Sequence, residues 1–277
     1  MKGIAQKLLV GTSVLIGTIA TSAPVLAASL SNVQMVGTDY GVYGAADAIT
    51  ALTDSDRYSH VELNIADEIL SNNNTGFTGN LGSDSIKVEG INQADWDGGL
   101  GTQWMADFTA AYPAVANATY GGISIGQIIA GEIQTAIGRS GDPNVAYLAK
   151  DDGSGNIEMD LIGHYNVWNA PWVANYSANP IYAPVIAALK AQTPLLQISE
   201  IAKVTINGEA QYAYSFSAVN TGVVAGDDGV SHSGRYTVSL AGTVEEDPAD
   251  VPEPSLILGL MTVGGLFSAS KRKSQNA

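Results

Sequence analysis

The chain has 277 residues, a formal net charge of −15, no cysteine and enough apolar residues, 45%, for a packed core. The missing cysteines exclude a disulfide framework, a thiolate nucleophile and a thiolate metal site. Between residues 28 and 250, seven Lys and Arg face 26 Asp and Glu, a net −19; this argues against a nucleic-acid partner, whose phosphates require a basic surface, and suits solubility outside a cell with loose attraction of divalent cations.

The first residues have the three parts of a secretory leader. Lys2 and Lys7 are the basic part, Leu8 to Ala20 the apolar part, and Val25-Leu26-Ala27 the small-residue site, so cleavage is expected after Ala27. The 223 residues from Ala28 to Asp250 are enough for one good-sized domain or two small ones. Strands are expected at Ser31 to Val36, at His60 to Ile65, where Val61, Leu63 and Ile65 alternate with Glu62 and Asn64, and at Ser85 to Ile91. Ser71 to Gly76 reads as an exposed loop.

Helical spacing follows. Trp104, Phe108, Ala111 and Tyr112 share a face of a helix starting near Thr102. Ile125, Ile128, Ile129, Ile133, Ala136 and Ile137 stripe a second helix that ends at Gly138. A short third one begins near Pro184 and carries Val185, Ile186 and Leu189. Ala146 to Ala149 and Ile157 to His164 flank a hairpin loop at 151–156, and Asn207-Gly208 joins strands Lys203 to Ile206 and Glu209 to Ser217. Tyr236, Val238 and Leu240 alternate in a last strand. The fold class expected is a single α+β domain, mostly antiparallel sheet with two or three helices on one face, plus a C-terminal transmembrane-like helix.

That final helix belongs to a tripartite tail. Val251-Pro252-Glu253-Pro254 precedes an apolar run from Leu256 to Ala269, containing Gly259, Gly264 and Gly265, and then Lys271, Arg272 and Lys273. Fourteen apolar-run residues make a helix of about 21 Å, short of a ~30 Å hydrocarbon core; Lys271 and Arg272 can extend to the headgroups and keep their side cytoplasmic. The tail resembles the PEP-CTERM sorting signal of exported bacterial proteins. That resemblance implies an exosortase as processing partner, Pro252, Glu253, Pro254, Lys271, Arg272 and Lys273 as the sorting signal, and an exopolysaccharide or biofilm matrix as destination. Gly138 to Asn166, with Ser140-Gly141-Asp142-Pro143-Asn144 and Gly163-His164-Tyr165, is also similar to a cyanobacterial-type subgroup of these proteins of unknown activity. The expected layout is a leader at 1–27, an extracytoplasmic body at 28–246, an acidic linker at 247–250, the sorting and anchor segment at 251–273 and a polar tail at 274–277.

Within the body, Gly122-Ile123-Ser124-Ile125-Gly126 matches the G-x-S-x-G elbow, and Asp227 or Asp228 with His232 completes the chain order of an esterase triad. The elbow needs an apolar strand before it, which Asn117 to Gly121 does not supply, and Ser124-x-x-Gln127 is a capping box for the isoleucine-striped helix. For calcium, the candidates are Asp95 and Asp97, or Asp151, Asp152, Asn156, Glu158 and Asp160; neither set has EF-hand spacing, so acidic turns explain them equally well and Asp151, Asp152 and Asp160 are weak candidates only. His60, His164 and His232 are far apart in sequence and read as strand histidines. Tyr165, Trp168, Trp172 and Tyr176 form an aromatic loop region around Pro171, either a sugar-stacking surface or core under a loop. The expectation is an exported, non-enzymatic envelope or matrix protein without a cofactor; a serine hydrolase using Ser124 and a carbohydrate-binding module are the alternatives.

Overall fold

The computed structural model describes residues 26–53, 55, 57–65, 75–120, 122–127, 131, 140–151, 153–222 and 231–243. The leader before Leu26, most of the loop expected at 71–76, most of the isoleucine stripe, Asp152, Asp227, Asp228 and everything from Val244 onward, the sorting signal included, lie outside the described residues.

Strand β1 (Leu26–Val36) organises the sheet because it pairs at both ends with different partners. It is followed by β2 (Tyr40–Tyr43), β3 (His60–Leu63), β4 (Gly76–Leu81) and β5 (Asp84–Gly90), then by a separate two-stranded ladder of β6 (Thr119–Tyr120) and β7 (Ile123–Ser124). The hairpin β8 (Asn144–Asp151) and β9 (Ile157–Gly163), the hairpin β10 (Ala202–Ile206) and β11 (Glu209–Ala213), and the strands β12 (Val219–Asn220) and β13 (Gly234–Leu240) complete the set. The order is β11-β10-β5-β4-β1-β8-β9-β13-β12, with β2 and β3 attached through β8, and all pairings are antiparallel.

The sheet curls at β1. Leu26 to Ser29 pair with β8, whereas Leu30 to Val36 pair with β4. An irregularity between Ser31 and Gln34, with Asn32 at φ 53°, supplies the bend, as a bulge does. The two limbs then face each other. Val61, Met159, Leu161 and Tyr236 meet Phe77, Leu81, Val88 and Val204 in one core, all without exposed surface; each large apolar side chain so buried contributes about 1.5–3 kcal/mol. Near the open edges, Gln211 Nε2 donates to the Ala241 carbonyl (2.8 Å) and Ala241 N–H donates back to Gln211 Oε1 (3.0 Å), so the end of β13 is fastened to β11.

Helix α1 (Ala48–Thr53) covers this core with Ala48, Ala51 and Leu52, and Asp47 Oδ1 accepts from Thr50 N–H at its start. A second core gathers the other helices: α2 (Gln93–Asp95), a π turn (Trp96–Leu100), α3 (Gly101–Ala111), α4 (Pro113–Ala116), α5 (Pro171–Ala178) and α6 (Ala183–Gln192). There Trp104 stacks on Phe108 at 5.1 Å, and Phe216 meets Trp104 edge-on at 5.4 Å.

Several expectations change in detail. The fold is α+β on a curled antiparallel sheet, with more short helices than two or three. Strands β2 and β4 and helix α1 add to the elements expected from periodicity, and β1 begins at Leu26, inside the expected leader. The strand expected to reach Ser217 ends at Ala213, because its partner β10 begins at Ala202, directly opposite; Tyr214 and Phe216 then turn into the second core. The aromatic region around Pro171 is not a loop: Pro171 occupies the first turn of α5, where its missing N–H costs nothing. Among the described residues no helix is long and apolar enough to cross a membrane.

Candidate functional site

Strand β3 alternates, so Val61 and Leu63 enter the core while His60 and Glu62 point to the opposite face. The β2–β3 register sets Tyr43 opposite His60, and their rings stack at 4.9 Å. His232, at the head of β13, meets both rings edge-on at 4.5 Å. Both histidines are buried at 2% exposure. The Tyr58 carbonyl lies 2.7 Å from His60 Nδ1 and can only accept, so this nitrogen carries the proton. In the neutral ring Nε2 is then an acceptor, and His232 Nδ1–H donates to it across 3.2 Å.

Tyr43 links these rings to carboxylates by donating from its hydroxyl to Glu62 Oε2 at 2.7 Å. Asn144, opposite Glu62 in the β3–β8 register, donates both its backbone N–H and its side-chain amide to Glu200 Oε2 at 3.1 Å. Glu200 is half-buried. That burial, and then the charges of Asp142 and Glu62, hold it well above the ordinary carboxylate range. The cluster can therefore keep a proton where an isolated carboxylate would lose it. It is a partly buried polar junction between β3, β8 and the lead-in to β10.

A second charged cluster lies on the outward face of β9. Arg57 donates Nε–H to Asp160 Oδ2 at 2.5 Å, also pairs with Glu158, and lies 4.5 Å over the Tyr147 ring. Thr237 Oγ1–H donates to Asp160 Oδ1 at 2.6 Å. Asp160, although on the outward face, is thereby fully buried.

The residues singled out in the sequence are dispersed over this framework. Ser124 Oγ–H donates to the Ala116 carbonyl at 2.8 Å, and the same oxygen accepts from Gln127 N–H at 3.4 Å, which is the capping contact. Its neighbour Ile125 packs in the second core, whereas His232 sits against Tyr43 and His60; the structure does not bring Ser124 and His232 together. Asp95 forms a reciprocal capping box with Asn92 and receives Lys203 and Tyr212, and Asp97 accepts from Gln93. Asp151 accepts from Ser154 N–H and Oγ–H in the β8–β9 turn, apart from the Asp160 cluster. Among the described residues no group of three or more His, Asp or Glu is placed to hold a metal ion. Trp168 is core, and its Nε1–H donates to the Thr193 carbonyl at 2.6 Å, while Trp172 and Tyr176 meet edge-on at its margin.

The His60–His232 contact and the Glu62–Asn144–Glu200 junction were invisible to motif reading because they join residues 172 and 56 positions apart. The alternation of β3 alone separates His60 and Glu62 from the core side, and that was their one legible signal. No protein-family model, curated protein or solved structure matches the chain.

Proposed function

We propose that this is an exported, non-enzymatic envelope or extracellular-matrix protein, whose helices cover one face of the sheet and whose body is delivered through the Pro252-Glu253-Pro254 signal. The observation that carries the reading is the ordered tail: Pro-Glu-Pro, the apolar run Leu256 to Ala269, then Lys271, Arg272 and Lys273. Its partners are an exosortase, the membrane during transit through Leu256 to Ala269, and exopolysaccharide at the destination.

The end of the body supports this. All the described core residues lie between Leu30 and Leu240, and the chain is fastened just beyond, at Ala241 by Gln211 and at Thr243 by Asp84. The tail can then be processed without withdrawing a core side chain. Glu253→Ala should leave export intact and retain the full-length form in the membrane. Mass spectrometry of the extracellular protein decides the matter: peptides spanning Leu256 to Ala269 in stoichiometric amount would make the tail a plain anchor.

A further inference from the structure

A concave patch on the outward face of β1, β4, β5 and β10 encloses ≈ 350 Å³. The pairing registers lay Gln34, Thr78, Lys87 and Thr205 in one row across the four strands, with Asn80 beside it on the same face. At ~4.8 Å between strands, that row spans about 14 Å. The bend in β1, with Asn32 at φ 53°, brings a further carboxamide into the lining.

Three observations identify what fits. First, Asn32, Gln34, Thr78, Asn80 and Thr205 have no side-chain hydrogen bond among the described residues, whereas polar side chains elsewhere on the sheet, such as Gln211 and Thr237, are committed to protein partners. Second, among the described residues no Asp or Glu lines the patch, although 26 of them lie between residues 28 and 250; the charged side chain among the described lining residues is Lys87, already paired with Glu89. Third, β4, β5 and β10 are paired along both edges in this region, by β1, by one another and by β11, so no strand can add between them.

Carboxamides and hydroxyls offer donors and acceptors together, which matches sugar hydroxyls. The near absence of net charge removes the attraction a phosphate chain or a basic peptide would need. We propose that this patch is a binding groove for a neutral polysaccharide chain, held by Gln34, Thr78, Asn80 and Thr205. The inference deepens the matrix reading and rests on it for the natural source of the glycan. The groove itself belongs to the body and is independent of sorting.

The test is affinity electrophoresis of the purified exported protein through gels containing soluble neutral glucan, mannan, galactan or xylan, with carboxymethylated glucan as the anionic control. At least one neutral polymer should retard the protein. The double variant Gln34→Ala, Asn80→Ala should weaken that retardation about tenfold or more, as loss of two side chains' hydrogen bonds implies, with an unchanged melting temperature because neither side chain holds the fold. Retardation by none of the neutral polymers, preference for the carboxymethylated one, or full retention by the double variant would each overturn the proposal. The Glu253→Ala protein should bind like the wild type, so a failed groove and a failed sorting signal give different results.

Discussion

Replacing Asp84 by Asn removes the charge at the point where four segments meet. Asp84 has no exposed surface and Lys150 only 3%, and Lys150 Nζ lies 3.1 Å from Asp84 Oδ2. The carboxylate also accepts from Asn207 Nδ2 at 2.6 Å, from Thr243 N–H at 3.3 Å and from the Thr243 hydroxyl. Burial acts to raise its pKa, but the Thr243, Asn207 and Lys150 donors outweigh it and hold the carboxyl below its ordinary value. Removing one partner of a buried pair costs about 3–5 kcal/mol. The cover here is thin, since Gly242 lies against Asp84 Oδ2, so the low end, about 3 kcal/mol, is expected for Asp84→Asn. Urea unfolding followed by tryptophan fluorescence measures it, because Trp96, Trp104 and Trp168 are buried reporters. The double variant with Lys150→Met should be more stable than Asp84→Asn alone, since an apolar side chain needs no counter-charge. The sign with pH follows from the lowered native pKa: the contribution is present above the unfolded carboxyl value, about 3.9, and is lost as pH falls through the lower native one. A loss under about 1 kcal/mol for Asp84→Asn, or strictly additive effects in the double variant, would refute the reasoning.

Glu200→Gln should act in the opposite pH direction. Its native pKa is raised, so wild-type stability should fall as pH climbs from the unfolded value of about 4.3 toward the native one, and the Gln variant should lack this slope in urea midpoints measured across pH. Two glycines should separate sterics from backbone strain. At Gly76 a Cβ would collide with the Val88 carbonyl oxygen, so Gly76→Ala should cost about 3 kcal/mol or more. Gly208, at φ 89° with open space around it, should cost only about 1–2 kcal/mol as Ala; equal thermal shifts for the two would contradict this account. Ser124→Ala should cost about 1 kcal/mol through its lost cap, and an active-serine probe should label wild type and variant alike; labelling that depends on Ser124 would reverse that assignment.

What was legible along the chain is what short-range geometry dictates. Asn207-Gly208 marked its hairpin because both residues need positive φ, and they adopt 51° and 89°. Ile157, Met159 and Leu161 alternate inward because successive strand side chains face opposite ways, and Trp104 and Phe108 pair because one helical turn separates them. The Pro-Glu-Pro, apolar and basic order of the tail is likewise read from local composition, in residues outside the described ones.

Tertiary structure decided whatever depends on which strands meet. Strand β4 was hidden because two of its six residues are glycine: Gly76 lies against the Val88 carbonyl and Gly79 against Leu30, spaces that only the assembled sheet defines. Asp160 looked like a turn-side calcium candidate until Arg57, 103 residues away, covered it with a counter-charge. His60 met His232 only through the placement of β3 and β13 in one sheet. The polar row Gln34, Thr78, Lys87 and Thr205 has no pattern along the chain at all. It exists because antiparallel register aligns one residue from each of four strands on the same face, and register is set by long-range pairing rather than by sequence neighbours.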